Sequence, residues 1–294
     1  MILVAGATGL LGSEICSRLR AGDRAVRAMV RTGSAADRVA TLRSMGAATA
    51  IADLKDPASL ARACEGVETV VSTASSTLSR QEGDSIETVD RLGQLNLIEA
   101  AKHAGVTQFI YVSVPPRQLY ECPLFSAKQE VAAALEGSGM EYTILLANFF
   151  MEVWLSPALG FDYVNRRATI YGDGNQPISW VSYRDVAGFA VDAHGNPAAR
   201  NRTLLVGGPE GLSPLEVVRV FEQVTGSSFA VEHVPREALE TQYAEATDPT
   251  GRTFAALMLG YTRGCTMEMD ETLSLLPRRL TTIQEYAAAA GRNA

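Results

Sequence analysis

Short apolar runs rich in β-branched residues recur along the first half of the chain, and a segment with helical periodicity follows each run. We predict six strands from these runs, at residues 2–5, 25–31, 47–53, 68–74, 108–113 and 142–146. Strands that alternate with helices form parallel sheets, because the right-handed crossovers place the helices on both faces. The alternation therefore predicts an α/β fold with a doubly wound parallel sheet.

The first strand runs directly into a glycine-rich turn, within which the first helix begins. Glycines there permit a tight turn and allow a pyrophosphate to approach the backbone, while the helix N-terminus offers free N–H groups and the positive end of its dipole. The spacing is G-x-x-G-x-x-G, and a glycine-rich turn without a ligand is the alternative. The pattern predicts a dinucleotide phosphate site formed by Gly6, Thr8, Gly9, Leu10, Leu11 and Gly12.

Arg31 ends the second predicted strand, where an NAD-binding protein carries an acidic residue for the ribose hydroxyls. A guanidinium group suits a 2′-phosphate instead, so we predict NADP(H) as the cofactor. A solvated arginine is the alternative.

Asp53 and Leu54 follow the third strand and are expected to flank the adenine. The carboxyl end of strand four is expected to pass beneath the ribose, at Thr73, Ala74 and Ser75.

Regular alternation stops after residue 146. An aromatic segment at 148–154 is followed by a turn-rich stretch and a short predicted strand at 178–182. Ser213 and Glu216 form a capping-box pattern for a helix at 213–226. We therefore predict a dinucleotide-binding Rossmann domain at 1–150, joined by a later strand and helix near 178–195. Residues 151–294 are predicted to form mainly a small, interleaved α+β cap that binds substrate.

Composition excludes several classes of function. The chain has 26 basic and 33 acidic side chains, so its net charge of −7 argues against a nucleic-acid groove. Four widely separated cysteines without a C-x-x-C pair argue against a metal site or a disulfide framework, and favour a cytoplasmic location. No signal peptide is expected, and the longest apolar stretch, at 142–151, is too short to span a membrane.

The chain resembles the NmrA-like family, an atypical branch of the short-chain dehydrogenase/reductases. The resemblance rests on the glycine turn, Val30-Arg31, Asp53-Leu54, the run at 100–106, Ser126-Ala127-Lys128, and the segments at 142–146 and 181–186. It implies a Rossmann fold with a small C-terminal cap, an NADP(H) site at the carboxyl ends of the strands, and a substrate cleft between the two parts. Family members include reductases of quinones, dyes and aromatic ethers, and also redox sensors and assembly factors.

The parent superfamily uses a Tyr-x-x-x-Lys pair on the helix after strand five, with the tyrosine as general acid. Lys128 matches the lysine and Ser113 matches a second active-site residue, but Leu124 stands where the tyrosine belongs. Lys128 is thus predicted to hold the nicotinamide ribose, with a surface lysine as the alternative. Spacing favours none of the substitute proton donors Tyr111, Tyr120 and Tyr163.

The resemblance also places Asn148, Phe149 and Phe150 against the nicotinamide, although ordinary core packing explains the same residues equally well. Together these observations predict an NADP(H)-dependent oxidoreductase that reduces an apolar, conjugated or aromatic small molecule such as a quinone or enone, with no metal. The alternative is a non-catalytic NADP(H)-binding redox sensor, regulator or assembly factor. An oligomer or a regulatory protein partner remains open.

Overall fold

The computed structural model describes residues 1–77, 81–115 and 120–292. Its strands are β1 (Ile2–Ala5), β2 (Val26–Val30), β3 (Ala48–Ile51), β4 (Thr69–Ser72), β5 (Gln108–Ser113), β6 (Glu141–Ala147), β7 (Phe161–Asp162), β8 (Arg167–Tyr171), β9 (Ile178–Ser179), β10 (Arg202–Val206), β11 (Gly211–Leu212) and β12 (Ala230–Val234). Its α-helices are α1 (Leu10–Ala21), α2 (Ala36–Ser44), α3 (Pro57–Cys64), α4 (Leu92–His103), α5 (Pro123–Glu136), α6 (Met151–Trp154), α7 (Tyr183–Ala193), α8 (Pro214–Thr225), α9 (Arg236–Glu245), α10 (Pro249–Thr262), α11 (Asp270–Leu275) and α12 (Ile283–Arg292). A π-helical turn spans Ile86–Arg91, and short 3₁₀ turns span Pro157–Leu159 and Pro197–Ala199.

A seven-stranded sheet with the order β10-β6-β5-β4-β1-β2-β3 confirms the predicted doubly wound fold. The pairings among β1 to β6 are parallel, with Leu3 of β1 aligned with Arg27 on one side and Val70 on the other. The strand order reverses direction between β1 and β4. In open α/β sheets ligands bind at such a switch point, outside the carboxyl ends of the strands.

All six predicted strands are present, with ends that differ by no more than two residues from the prediction. The seventh, β10, was missed, because it is a five-residue run in the part of the chain where the regular alternation has stopped. Central strands are buried along their whole length, and Leu3, Val70, Phe109 and Ile144 are all 0% exposed. Burial on both faces explains why these strands are apolar runs without alternation.

Between strands four and five the sequence predicts one long helix at 84–104, and the structure differs from this prediction at its beginning. A π-helical turn at Ile86–Arg91 precedes α4, and Ser85 and Thr88 form a reciprocal capping box at its start. Hydrophobic periodicity does not distinguish a single π-helical turn from the α-helix that continues it. π-Helical turns are rare and occur frequently at functional sites, so this departure favours a functional role for the segment.

The chain divides into two compact units. The first comprises Met1–Val114, Leu124–Leu146 and Val186–Leu204, and the second comprises Pro115–Pro123, Ala147–Asp185 and Leu205–Ala294. In this division residues 147–150, which were predicted to belong to the Rossmann domain, fall in the second unit. It also assigns most of α7 and the first part of β10 to the Rossmann unit, and residues 115–123 to the other.

The second unit contains a three-stranded sheet with the order β12-β8-β7 and a two-stranded sheet formed by β11 and β9. Its core is rich in aromatic residues, among them Phe161, Trp180 and Phe221. The capping box of Ser213 and Glu216 at the start of α8 is present as predicted. None of the helices in the described ranges is both long enough and apolar enough to cross a membrane.

Candidate functional site

Gly6 and Gly12 allow β1, α1 and the end of β4 to approach one another closely. Gly6 has φ +80°, and a Cβ there would lie 2.7 Å from Thr73 Oγ1 and 2.8 Å from the Ala74 nitrogen. A Cβ on Gly12 would lie 2.2 Å from the Gly6 carbonyl oxygen. Real Cβ atoms do not make such contacts, so both positions require glycine for the turn itself.

Gly9 differs from the other two glycines. It is the N-cap residue of α1 with φ −81° and ψ 169°, and a Cβ there would meet only the Gly6 carbonyl oxygen, at 3.3 Å. The helix has no side-chain cap at this end and no acidic residue in its first turn, and Leu10 is 55% exposed. The start of α1 is therefore open on the side of Gly9, and its N–H groups and dipole suit an anion such as a pyrophosphate.

The remaining residues of the turn have structural contacts of their own. Leu11 is buried, so its backbone N–H rather than its side chain is the group available to a phosphate. The Thr8 carbonyl oxygen accepts a hydrogen bond of 2.9 Å from Arg38 Nη1 on α2. Arg38 therefore helps to fix the conformation of the turn.

Arg31 lies beside a second cation that the sequence did not single out. Its Nη1 is 2.5 Å from Asp84 Oδ2, and Lys55 Nζ is 2.5 Å from Asp84 Oδ1. The Asp84 side chain is only 2% exposed, whereas those of Arg31 and Lys55 are 29% and 27% exposed. Lys55 Nζ also lies 3.8 Å from Asp53 Oδ2, so two carboxylates balance the two cations. The part-exposed guanidinium and ammonium groups are the ones that suit a phosphate group. The sequence signal for Lys55 was a basic residue directly after Asp53-Leu54, but Asp84 is distant in the chain.

The two residues predicted to flank the adenine have different environments. Asp53 is part-exposed, and its Oδ1 accepts a hydrogen bond of 2.9 Å from the Lys55 backbone N–H. Leu54 is 4% exposed and packs so closely against α4 that a Cβ on Gly93 would lie 2.7 Å from Leu54 Cβ. The Leu54 carbonyl oxygen accepts a hydrogen bond from Asn96. Only the backbone of Leu54 is thus available to a ligand.

Thr73, Ala74 and Ser75 follow β4 and are all part-exposed. Thr73 Oγ1 donates to the Ala5 carbonyl oxygen at 3.1 Å, which joins this segment to the end of β1. The buried side chain of Gln94 on α4 donates from Nε2 to the Ala74 carbonyl oxygen at 2.9 Å. The structure therefore brings this segment and the glycine turn together at the switch point of the sheet, and the role of the segment beneath the ribose stays a prediction.

Lys128 and Ser113 are both buried, at 6% and 4% exposure. Lys128 Nζ lies 3.5 Å from the Tyr111 hydroxyl and 4.0 Å from Asp90 Oδ1. Ser113 also forms a side-chain hydrogen bond with Tyr111. The alternative of a surface lysine is thus wrong, because a solvated ammonium group would be exposed. Leu124, at the position of the missing tyrosine, is 4% exposed.

Of the three alternative proton donors, only Tyr111 is in contact with Lys128. Burial raises the pKa of the Tyr111 hydroxyl, and the nearby Lys128 opposes that change. Tyr111 is 0% exposed and is part of the core of the first unit. Tyr120 accepts a hydrogen bond from Arg236, and Tyr163 stacks on Phe221, both within the second unit.

Asn148, Phe149 and Phe150 belong to the second unit. Asn148 Nδ2 donates to the carbonyl oxygens of Ser179 and Cys265, at 3.0 and 2.8 Å. Phe149 is 4% exposed and packs edge-to-face against Trp154, with ring centroids 4.5 Å apart. These are contacts of core packing, and the role of the three residues at the nicotinamide stays a prediction. Among the described residues no group of three or more His, Cys, Asp or Glu is arranged to hold a metal ion.

Comparisons with known proteins agree with this description. Residues 1–287 match the NmrA-like family. Photosystem II assembly factor Ycf39 of Trieres chinensis is 28% identical over 80% of this chain and 72% of its own length. Isoflavone reductase homolog IRL of Zea mays is 27% identical over 97% of this chain and 96% of its own length.

Two solved structures share the fold over almost the whole chain. NADPH-dependent quinone oxidoreductase QOR2 of Escherichia coli, solved with NADPH, has a TM-score of 0.79 and 21% identity, covering 99% of both chains. Triphenylmethane reductase of Citrobacter sp., solved with NADP(H), has a TM-score of 0.78 and 20% identity, covering 99% of this chain and 100% of that one. The cofactor bound in both is the one that the sequence predicted for this chain. Together with the match to 1–287, these findings show that the chain belongs to the NmrA-like family.

Proposed function

We propose that this protein is an NADPH-dependent reductase of an apolar, conjugated or aromatic small molecule. The observation that carries the proposal is the open N-terminus of α1 at Gly9, between two glycines that the turn itself requires. An uncapped helix N-terminus that opens beside a glycine turn offers free N–H groups and the positive end of the helix dipole to an anion such as a pyrophosphate. The names of the related quinone oxidoreductase and triphenylmethane reductase support the class of acceptor.

Bound NADPH would supply the hydride, and the chain's own residues would position the cofactor. The α1 N–H groups would bind the pyrophosphate, while Arg31 and Lys55 would bind the 2′-phosphate. Lys128 would bind the nicotinamide ribose. Because Leu124 replaces the usual tyrosine acid, we expect acceptors whose reduced product takes its proton from water. A quinone fits, since one hydride and one proton convert it to the hydroquinone.

Replacing Arg31 by alanine is expected to weaken NADPH binding by about 1.5–3 kcal/mol, the range for hydrogen bonds to charged groups, and to leave NADH binding nearly unchanged. The 2′-phosphate is the group that distinguishes the two cofactors. Fluorescence titration with each cofactor measures both affinities. Arg43→Ala is the matched control, because Arg43 is an exposed arginine of α2 whose guanidinium group donates to Thr49 Oγ1. Equal losses of affinity for NADPH and NADH would contradict the assignment of Arg31 to the 2′-phosphate.

The proposed activity is tested by following NADPH oxidation with a panel of quinones, enones, azo dyes and triphenylmethane dyes. We expect turnover with at least one flat conjugated acceptor, and a preference for NADPH over NADH. The Gly9 variant described below serves as the inactive control for acceptors that oxidise NADPH without enzyme. Tight NADPH binding without oxidation by any acceptor would contradict the reductase.

The second candidate is a non-catalytic NADP(H)-binding regulator or assembly factor. The relative from Trieres chinensis is named a photosystem II assembly factor, and Leu124 at the position of the tyrosine acid favours the same reading. For such a protein we expect a partner or ligand to change the affinity for the cofactor without consuming it. Titration of NADP⁺ and NADPH in the presence and absence of a candidate ligand separates the two functions.

A further inference from the structure

Asp90 is a buried acid that the proposed function does not yet use. It is 0% exposed and lies in the π-helical turn Ile86–Arg91. Its Oδ2 accepts hydrogen bonds from the Ser76 backbone N–H at 2.9 Å and from Ser76 Oγ at 2.5 Å. Its Oδ1 has no hydrogen-bond partner among the residues that the structure describes and lies 4.0 Å from Lys128 Nζ. A buried carboxylate oxygen without a hydrogen bond requires a compensating charge, and Lys128 supplies one.

The same geometry decides what keeps Lys128 charged. Burial on its own lowers the pKa of the ammonium group, but Tyr111 from β5 and Asp90 from the π-helical turn raise it, and the net pKa lies above the usual value. Burial raises the pKa of Tyr111, so its hydroxyl is neutral near neutral pH and brings no negative charge. Under these conditions Asp90 brings the negative charge that offsets the burial of Lys128, and the Tyr111 hydroxyl contributes a hydrogen bond.

Asp90 also joins Lys128 to the segment after β4. Ser76, which holds Oδ2, directly follows Thr73, Ala74 and Ser75, the residues predicted to pass beneath the ribose. One carboxylate thus contacts both Lys128 of α5 and Ser76 of the segment after β4. Asp90 lies in the π-helical turn that hydrophobic periodicity did not distinguish from α4.

We propose that Asp90 is a positioning residue, which holds Lys128 in its charged form and ties it to the segment that contains Ser76. This inference rests on the proposed function only for its consequence, namely cofactor binding. The ion pair itself belongs to the ligand-free protein and is testable there. An experiment can therefore contradict the ion pair without contradicting cofactor binding, and the reverse.

Asp90→Asn tests the pair, since an amide oxygen still accepts from Ser76 but carries no charge. Only the hydrogen bond with Tyr111 then opposes the effect of burial on Lys128, and we expect the Lys128 pKa in the folded variant to fall below its pKa in the unfolded chain. Above the lowered pKa the unfolded chain binds a proton that the folded variant lacks, so stability of the variant rises with pH. We expect its folding equilibrium constant, relative to wild type, to increase at least about tenfold from about pH 7 to about pH 9.

Cofactor binding is expected to change in the opposite direction. As Lys128 of D90N loses its proton, the variant loses its ammonium group at the ribose, so its dissociation constant for NADPH rises relative to wild type over the same pH range, by less than about tenfold, the effect of one hydrogen bond. A merely structural defect would weaken folding and binding together. The two measurements, denaturant unfolding of the ligand-free protein and NADPH fluorescence titration, therefore distinguish positioning from packing.

The double variant Asp90→Asn with Lys128→Met is the control, because it removes both charges from the same site. We expect it to be more stable than D90N at neutral pH and to lack the rise in stability with pH. If D90N does not fold but the double variant does, the charge pairing is supported. A double variant no more stable than D90N, or a D90N stability profile parallel to that of wild type, overturns the inference. Failure of wild type to bind NADPH would instead contradict the proposed function.

Discussion

Gly9→Val is expected to abolish NADPH binding while the protein remains folded. The backbone of Gly9 has φ −81° and ψ 169°, a conformation that valine adopts readily, and its Cβ would meet only the Gly6 carbonyl oxygen at 3.3 Å. The fold therefore tolerates the side chain with a small adjustment. A pyrophosphate at the start of α1 would occupy the same space, and several charge-assisted hydrogen bonds would be lost.

We expect the loss of affinity to be at least about a hundredfold, which corresponds to two or more such hydrogen bonds. Calorimetric titration with NADPH measures it, and circular dichroism with thermal unfolding checks the fold. Gly12→Ala is the matched control, because its added side chain disturbs the fold rather than the phosphate site. Its Cβ would lie 2.2 Å from the Gly6 carbonyl oxygen, so this variant is expected to lose stability first. A folded Gly9→Val protein that binds NADPH as wild type does would refute the phosphate site.

The fold was predictable because its strongest signals are local. A buried parallel strand is a short apolar run, and β1 and β5 coincide with the runs at 2–5 and 108–113. A capping box is a pattern of two residues three apart, and Ser213 with Glu216 occupies the start of α8 as expected. The π-helical turn was not predictable, since it differs from an α-helical turn only in hydrogen bonding.

The candidate site was predictable where one segment of the chain carries it, as in the glycine turn. Its electrostatics were not, because each ion pair joins residues that are far apart in the sequence. Asp84 meets Arg31 and Lys55 only after β2 and β3 are paired in the sheet. Asp90 meets Lys128 only after the fold brings the π-helical turn and α5 together. Sequence alone indicates Arg31 and Lys128, but neither Lys55 nor the carboxylates that pair with these cations.

Lys128→Ala is expected to lower turnover far more than it weakens NADPH binding. An ill-placed hydride donor loses its orientation even when its phosphates stay bound, and we expect turnover to fall by about a hundredfold. The dissociation constant for NADPH is expected to rise by less than about tenfold, the effect of one hydrogen bond. Lys102→Ala, at an exposed lysine near the end of α4, is the control and is expected to change neither quantity.

Stability must be measured beside the kinetics, because Lys128→Ala leaves Asp90 buried without its counter-charge. Breaking a buried ion pair from one side typically costs about 3–5 kcal/mol, so rates are to be compared at a temperature where the variant is folded. Leu124→Tyr completes the test by restoring the missing acid at a buried position. We expect little gain in turnover and no new alkaline limb in the pH profile, because an acceptor that takes its proton from water has no use for a tyrosine. A large gain with Leu124→Tyr would instead show that proton donation limits the reaction and that the natural acceptor is a carbonyl compound.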